Sequence, residues 1–244
     1  MMDDTPLVFV SVDNQSVAEN FAEWFKTWSN KQSGARITIA LSGGSTPKVL
    51  FQALAEKYAE DIPWHKIHFF WGDERCVAPT HDDSNYKMTK TLLLDPINFP
   101  ENQVHRVKGE IDPEVAAEDY ERQIRLHLEE KEAWPAFDLI ILGMGSDGHT
   151  ASIFPHQMEL LESDRICAVA THPDSGQKRV SLTGKVLNNA HQVCFLVTGD
   201  SKKEKIVEIF NEQGQYQAYP AFHIRPVHGA LSWHIDKAAA ALLK

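Results

Sequence analysis

The sequence predicts an α/β fold: a mainly parallel, twisted sheet flanked by helices. Three observations lead to it. Short apolar runs alternate with longer amphipathic stretches through most of the chain, the strand–helix order that a parallel sheet requires. Glycine-bearing turns close several of the apolar runs, at 42–47, at Gly72 and at 143–148. No Pro/Gly/Ser-rich linker and no internal repeat interrupts the pattern, so residues 1–244 are expected to form a single domain.

Taken in order, residues 7–12 read as a strand. Residues 16–30 read as a helix, because Val17, Phe21, Trp24, Phe25 and Trp28 recur at helical spacing. The run 37–41 is a second strand, leading through Ser42-Gly43-Gly44-Ser45-Thr46-Pro47 into a helix over 47–59, where proline is tolerated in the first turn. Residues 67–71 form a third strand ending at Gly72-Asp73-Glu74-Arg75. Helices follow at 84–94 and at 113–130, the second with Asp112 as its N-cap. Further strands are expected at 137–142, 166–171, 180–183, 192–198 and 231–235, with helices at 202–211 and 236–243.

Composition narrows the function. Hydrophobic residues at 43% and charged residues at 24% are ordinary globular values. The longest apolar runs fall well short of the ~20 residues that span a bilayer, and Met1-Met2-Asp3-Asp4-Thr5-Pro6 lacks the basic, then greasy, pattern of a secretory signal. A net charge of -10 argues against a nucleic-acid partner; a small anionic substrate stays open, because a few local cations reverse the field in one cleft. The three cysteines, Cys76, Cys167 and Cys194, have no CxxC spacing, which favours a reducing cytoplasm over a disulfide framework.

The residues with chemistry to offer lie after the apolar runs. Leu139-Ile140-Ile141-Leu142 stops at Gly143-Met144-Gly145-Ser146-Asp147-Gly148-His149, placing a carboxylate and an imidazole where open α/β sheets bind ligands. Although 143–148 matches GxGxxG, Asp147 would meet the pyrophosphate with like charge, so a histidine general base beside Asp147 is the better use. Gly43, Gly44, Ser45 and Thr46 combine a tight turn with a helix start, which suits a phosphate; a capped βα turn reads equally well. Asp73, Glu74 and Arg75 line the same crevice or form a solvated loop, and 81–86 supplies polar residues of the helix-capping type. Arg179 and Lys202 are candidates to neutralise a phosphate, or ordinary surface cations.

No metal and no cofactor is expected. The twelve histidines are scattered, and His65-x-x-His68 has no acid or cysteine at ligand spacing. No GxSxG elbow exists and Cys76 reads as a loop residue, which leaves activated water as the nucleophile.

Together these segments resemble the 6-phosphogluconolactonase family, a branch related to glucosamine-6-phosphate deaminases. The matching pieces are 41–47, 72–75 with His81-x-Asp83-Ser84-Asn85-Tyr86, 143–155, 179–183 and Thr198-Gly199-Asp200-Ser201-Lys202. The chain departs from the pattern at Ser146, where proline is common, and at His156, where glycine is common. The resemblance implies a Rossmann-like fold, as in the deaminase superfamily, and hydrolysis of 6-phospho-D-glucono-1,5-lactone in the pentose phosphate pathway. It implies His149 as the base, Asp147 as its orienting partner, Arg75 at the oxyanion, and Asp73 on sugar hydroxyls or Arg75. Gly43, Gly44, Ser45, Thr46, Arg179 and Lys202 would hold the phosphate. A cytoplasmic monomer or weak homodimer acting on this small molecule, with no membrane partner, completes the expectation. Glucosamine-6-phosphate deamination and a non-catalytic sugar-phosphate sensor are the alternatives.

Overall fold

Six strands pair in parallel to form the central sheet, in the order β1-β11-β10-β7-β2-β3. The computed structural model describes residues 6–243; the acidic stretch 1–5 lies outside the described residues. Along the chain the elements are β1 Leu7–Ser11, α1 Asn14–Lys31, β2 Ile37–Leu41, α2 Ser45–Lys57, β3 Ile67–Trp71, β4 Asp73–Arg75 and α3 Asn85–Thr89. They continue with α4 Pro113–His127, a small hairpin of β5 Glu130–Lys131 and β6 Trp134–Pro135, and β7 Leu139–Leu142. The last are β8 Cys167–Thr171, β9 Lys178–Leu182, α5 Gly184–Leu187, β10 Gln192–Val197, α6 Lys203–Asn211 and β11 Ala230–Asp236.

Side chains alternate across the sheet, and both faces are buried over β2, β3, β7 and β10, whereas the edge strand β1 is exposed. Ile39, Leu41, Phe69 and Trp71 join Phe21, Phe25, Leu50 and Phe51 of α1 and α2 on one face. Ala40, Phe70, Ile140 and Phe195 join Ala116, Tyr120 and Ile124 of α4 on the other. Phe69 and Phe70 are both fully buried, on opposite faces, and each contributes ~1.5–3 kcal/mol by leaving water. This continuous burial explains why β2, β7 and the end of β3 read as unbroken apolar runs.

The order of strand addition reverses beside β2: β3 lies on one flank, whereas β7, β10 and β11 build outward on the other. Such a switch point opens a crevice at the carboxyl ends of the strands. The Ser42 hydroxyl donates to the Ile141 carbonyl at 2.6 Å, clamping the ends of β2 and β7 at this point.

The strands expected at 166–171 and 180–183 do not enter the parallel sheet. With β4 they form a separate antiparallel sheet, β4-β9-β8. The connection from β8 to β9 is too short for a parallel crossover of a dozen or more residues, so a hairpin results. Residues 73–75, expected as loop, form the third strand. The Gly72 amide donates to the Leu41 carbonyl, and its carbonyl accepts from Leu182, so the chain passes from one sheet to the other there.

Two helices differ from expectation. Residues 237–243 form a series of turns: Ala240 bonds back to Asp236, but Ala241 bonds only to Ala238. Asp236 itself is the end of β11, and its carboxylate accepts from Gly199 and Ala239 amides, which anchors that end in the sheet. The helix expected at 84–94 is present over 85–94 but changes character, α3 giving way after Thr89 to a π-turn over Lys90–Leu94.

Candidate active site

A cleft of about 230 Å³ opens at the switch point, bounded by the turns that follow β2, β3, β7 and β10. Ser45, Thr46, Asp73, Arg75, His149, Arg179 and Lys202 all line it, with Gly43 and Gly44. Residues 104 positions apart, Ser45 and His149, therefore face one cavity.

His149 sits in a tight loop closed by the Gly145 amide donating to the His149 carbonyl at 2.9 Å. Its Nδ1 lies 2.6 Å from Asp147 Oδ1, and that oxygen also accepts the His149 amide at 3.1 Å. Burial opposes ionisation of Asp147, but the hydrogen bond and charge of His149 outweigh it and pull the carboxyl down to about 2. An ionised carboxylate only accepts, so Nδ1 donates to it, and the neutral tautomer so selected carries its lone pair on Nε2. Phe154 packs against the imidazole at 4.7 Å and fixes the ring plane. Gly145 leaves room for the pair: a Cβ there would fall 2.1 Å from His149 Nδ1.

The start of α2 departs from a capped turn. Gly44, at φ 116°, precedes the first helical residue and offers no side-chain cap. The left-handed conformation suits glycine. Ser45 and Thr46 belong to the first turn instead, and the Thr46 hydroxyl pairs with Thr198 Oγ1 at 2.8 Å, tying α2 to the end of β10. The helix therefore presents amide donors and a positive partial charge to the cleft.

The antiparallel sheet brings the other charges. Arg75 and Arg179 are directly opposed across β4 and β9, an arrangement in which like charges repel. Arg179 is 9% exposed. Burial pushes its guanidinium below the usual range, and Asp73 pulls it back. The Nε atoms of both arginines are buried without a hydrogen-bond partner among the described residues. Arg75 donates to the Asp83 carbonyl at 2.5 Å. Asp73, whose expected partners are sugar hydroxyls or Arg75, lies 3.9 Å from Arg179 instead of pairing with Arg75, with Ser152 Oγ donating to it at 2.6 Å. Register explains the exchange, since β9 carries Arg179 and Ser181 past Asp73. Lys202, half-buried at the foot of α6, has its ammonium disfavoured by burial and favoured by the charge of Asp147.

Glu74 does not face the cleft. It is buried and accepts the amides of Arg75, Asn85 and Tyr86 and the hydroxyl of Ser84, so it holds the start of α3 in place. Burial raises its pKa against those hydrogen bonds. Ser84 is the N-cap, its hydroxyl oxygen accepting the Lys87 amide; Asn85, grouped in sequence with the capping residues, instead lines the cleft and donates to the Asp73 carbonyl at 2.9 Å. Ser152 and Asn85 are the residues that sequence reasoning missed. Both sit inside recognisable motifs, but only the strand pairing shows what they hold.

The histidines are less scattered than their sequence positions suggest. His68, His105 and His127 each bring a ring nitrogen within 4.8 Å of the others, away from the cleft.

Comparison with known proteins follows the same lines. The family described as Glucosamine-6-phosphate isomerases/6-phosphogluconolactonase matches residues 12–233. The chain is 41% identical over 230 residues to the 6-phosphogluconolactonase of Haemophilus influenzae, covering 94% of this chain and 96% of that one. It is 47% identical over 174 residues to that of Treponema pallidum, covering 71% and 72%. The solved structure of 6-phosphogluconolactonase from Trypanosoma brucei superposes with a TM-score of 0.89 at 29% identity, covering 98% of this chain and 99% of that one.

Proposed function

This chain belongs to the family of glucosamine-6-phosphate isomerases and 6-phosphogluconolactonases, and on that premise we propose that it hydrolyses 6-phospho-D-glucono-1,5-lactone to 6-phospho-D-gluconate in the oxidative pentose phosphate pathway. The observation that carries the mechanism is the opening of the His149–Asp147 pair and the uncapped start of α2 into one cleft. His149 Nε2 takes a proton from water as the oxygen attacks the lactone C1. The tetrahedral intermediate then collapses, the C1–ring-oxygen bond breaks, and the imidazolium returns the proton to the departing oxygen. The product carboxylic acid ionises, so each turnover releases one proton.

Asp147 keeps the imidazole in the tautomer needed and stabilises its charged form. Arg75 stabilises the oxyanion. The amides at the start of α2, with Gly43, Gly44, Ser45, Thr46, Arg179 and Lys202, hold the phosphate. Directly opposed strand residues have Cβ atoms ~4.5–5.5 Å apart, so Arg75 and Arg179 can serve the two ends of one six-carbon ligand. Asp73 holds Arg179 and faces the sugar hydroxyls. A general base contributes ~100- to 10,000-fold.

The test is proton release from freshly generated 6-phosphogluconolactone, measured above spontaneous hydrolysis. Wild type accelerates it, and His149→Ala removes ~100-fold or more of the turnover while the circular dichroism spectrum stays native. Ammonia release from glucosamine 6-phosphate without lactone hydrolysis would establish the deaminase reading instead. We further place the enzyme in the cytoplasm, as a monomer or weak homodimer without a nucleic-acid partner; the acidic net charge of -10 supports the last point.

A further inference from the structure

We propose that His68, His105 and His127 form a binding site for one divalent transition-metal ion of the zinc class, remote from the lactone cleft. Three different parts of the fold deliver the side chains. His68 lies near the start of β3, five residues and so roughly 16 Å before Asp73 at the cleft. His105 is held beside the same strand, since its amide donates to the Phe69 carbonyl at 2.8 Å and Val104 bridges Phe69 in parallel. His127 is the last residue of α4.

Their ring nitrogens converge. His68 Nδ1 and His105 Nε2 are 2.8 Å apart, and the three ligand atoms lie within 4.8 Å of one another. Tetrahedral zinc with Zn–N bonds of ~2.0–2.1 Å places its ligand atoms about 3.3 Å apart, so small ring rotations complete the set. His127 Nδ1 lies 2.8 Å from the Gln123 carbonyl one turn back. Nδ1 therefore carries the proton, and Nε2 is the free ligand atom, the tautomer lock common to metal-bound histidines. Burial keeps His68 and His105 neutral, pushing them down to about 4 and about 3. Neutral imidazoles are the ligand form, and an all-nitrogen set suits zinc, cobalt, nickel or copper over magnesium or calcium. His68 and His127 are half-buried, so water can reach the fourth position.

Arg36 is the opposing influence. Its guanidinium donates to the His127 carbonyl at 2.8 Å, and its charge disfavours protonation of His68 and His105. The same charge weakens the binding of a cation, so removing it should strengthen the site. A cluster that merely stacks its rings makes no such prediction.

The experiment uses the full chain, stripped with EDTA and desalted, titrated with Co²⁺ and separately with Zn²⁺. Expected are a visible tetrahedral Co²⁺ band saturating at one ion per chain and its displacement by Zn²⁺. A Tm rise of about 5–10 °C is expected at a hundredfold excess over Kd. His127→Gln, at a half-exposed helix end, should weaken binding by at least about tenfold, with lactone hydrolysis unchanged. His105→Ala should do the same if it folds, whereas Arg36→Gln should tighten binding several-fold. The absence of any Co²⁺ band and Tm shift in wild type would overturn the proposal. So would one-to-one binding that persists unchanged in His127→Gln.

Discussion

Gly145→Ala is the substitution that probes the catalytic pair most directly. The added Cβ would lie 2.1 Å from His149 Nδ1, 2.3 Å from Cε1 and 2.5 Å from Asp147 Oδ1. Ordinary van der Waals contact begins near 3.4 Å, so the ring must retreat by about 1.3 Å. The backbone itself accepts alanine, because Gly145 is not among the residues with positive φ. A misplacement of ~1 Å at a reacting group costs ~100-fold, equivalent to ~2.7 kcal/mol of barrier. The groups proposed to hold the phosphate lie in other turns and are left in place. The expected result is therefore a kcat lower by ~100-fold, KM changed by less than about threefold, and a Tm within a few degrees of wild type. Initial rates of proton release, corrected for spontaneous lactone opening, give both constants. A folded variant that keeps its turnover within threefold of wild type would refute the placement of His149 as the base.

Arg179→Ala should raise KM by about tenfold or more with a smaller change in kcat, because phosphate binding is shared by ground and transition states; an unchanged KM removes Arg179 from the phosphate site. Tyr120→Phe deletes the hydroxyl that accepts the Trp71 amide at 2.6 Å and donates to its carbonyl at 2.8 Å. Leaving those buried groups unpaired costs ~1–3 kcal/mol each, which thermal unfolding would register as a Tm lower by ~4 °C or more. Acid stability is expected to report His234, 5% exposed and packed against Phe9 and Phe21, which burial pushes down to about 4. Its folded pKa lies below the unfolded ~6.5, so its contribution is fully present above pH 6.5 and is lost as pH falls towards 4. At pH 5 the loss is about 2 kcal/mol, and denaturant unfolding of His234→Leu should show a pH dependence flatter by that amount.

The parallel sheet and the Asp147–His149 pair were legible because their signals are local. Four consecutive buried residues at 139–142 mark a strand, and a two-residue spacing lets a carboxylate hold an imidazole without help from elsewhere in the chain. The charges of the antiparallel sheet were legible only as candidates. Arg75 and Arg179 stand 104 residues apart, and their opposition exists only once β4 and β9 pair in register. The same holds for Asp73, whose partner could not be chosen between arginines before that register was known. Ser45 and Thr46 looked like caps because hydroxyls at helix starts usually are; the Thr46 hydroxyl turns instead to Thr198, 152 residues away. The three-histidine cluster was hidden for the same reason, since no linear spacing relates a strand, a bridge residue and a helix end.

The site thus has two structural origins with different tasks. The parallel sheet supplies the proposed base, through the turn after β7, and the proposed phosphate-binding helix start, through the turn after β2. Their separation is fixed where these neighbouring strands are clamped by Ser42. The antiparallel sheet supplies Asp73, Arg75 and Arg179, which must be held at a set distance from that pair to meet the same ligand. The junction is correspondingly over-determined: Tyr120 from α4 satisfies both backbone groups of Trp71, and Gly72 bonds to β2 on one side and to β9 on the other. Arg75 and Arg179 are directly opposed at this junction, and the charge of Arg75 disfavours the Arg179 guanidinium. An anionic ligand between them would offset that repulsion, which is the electrostatic reason this crevice suits a substrate with negative charge.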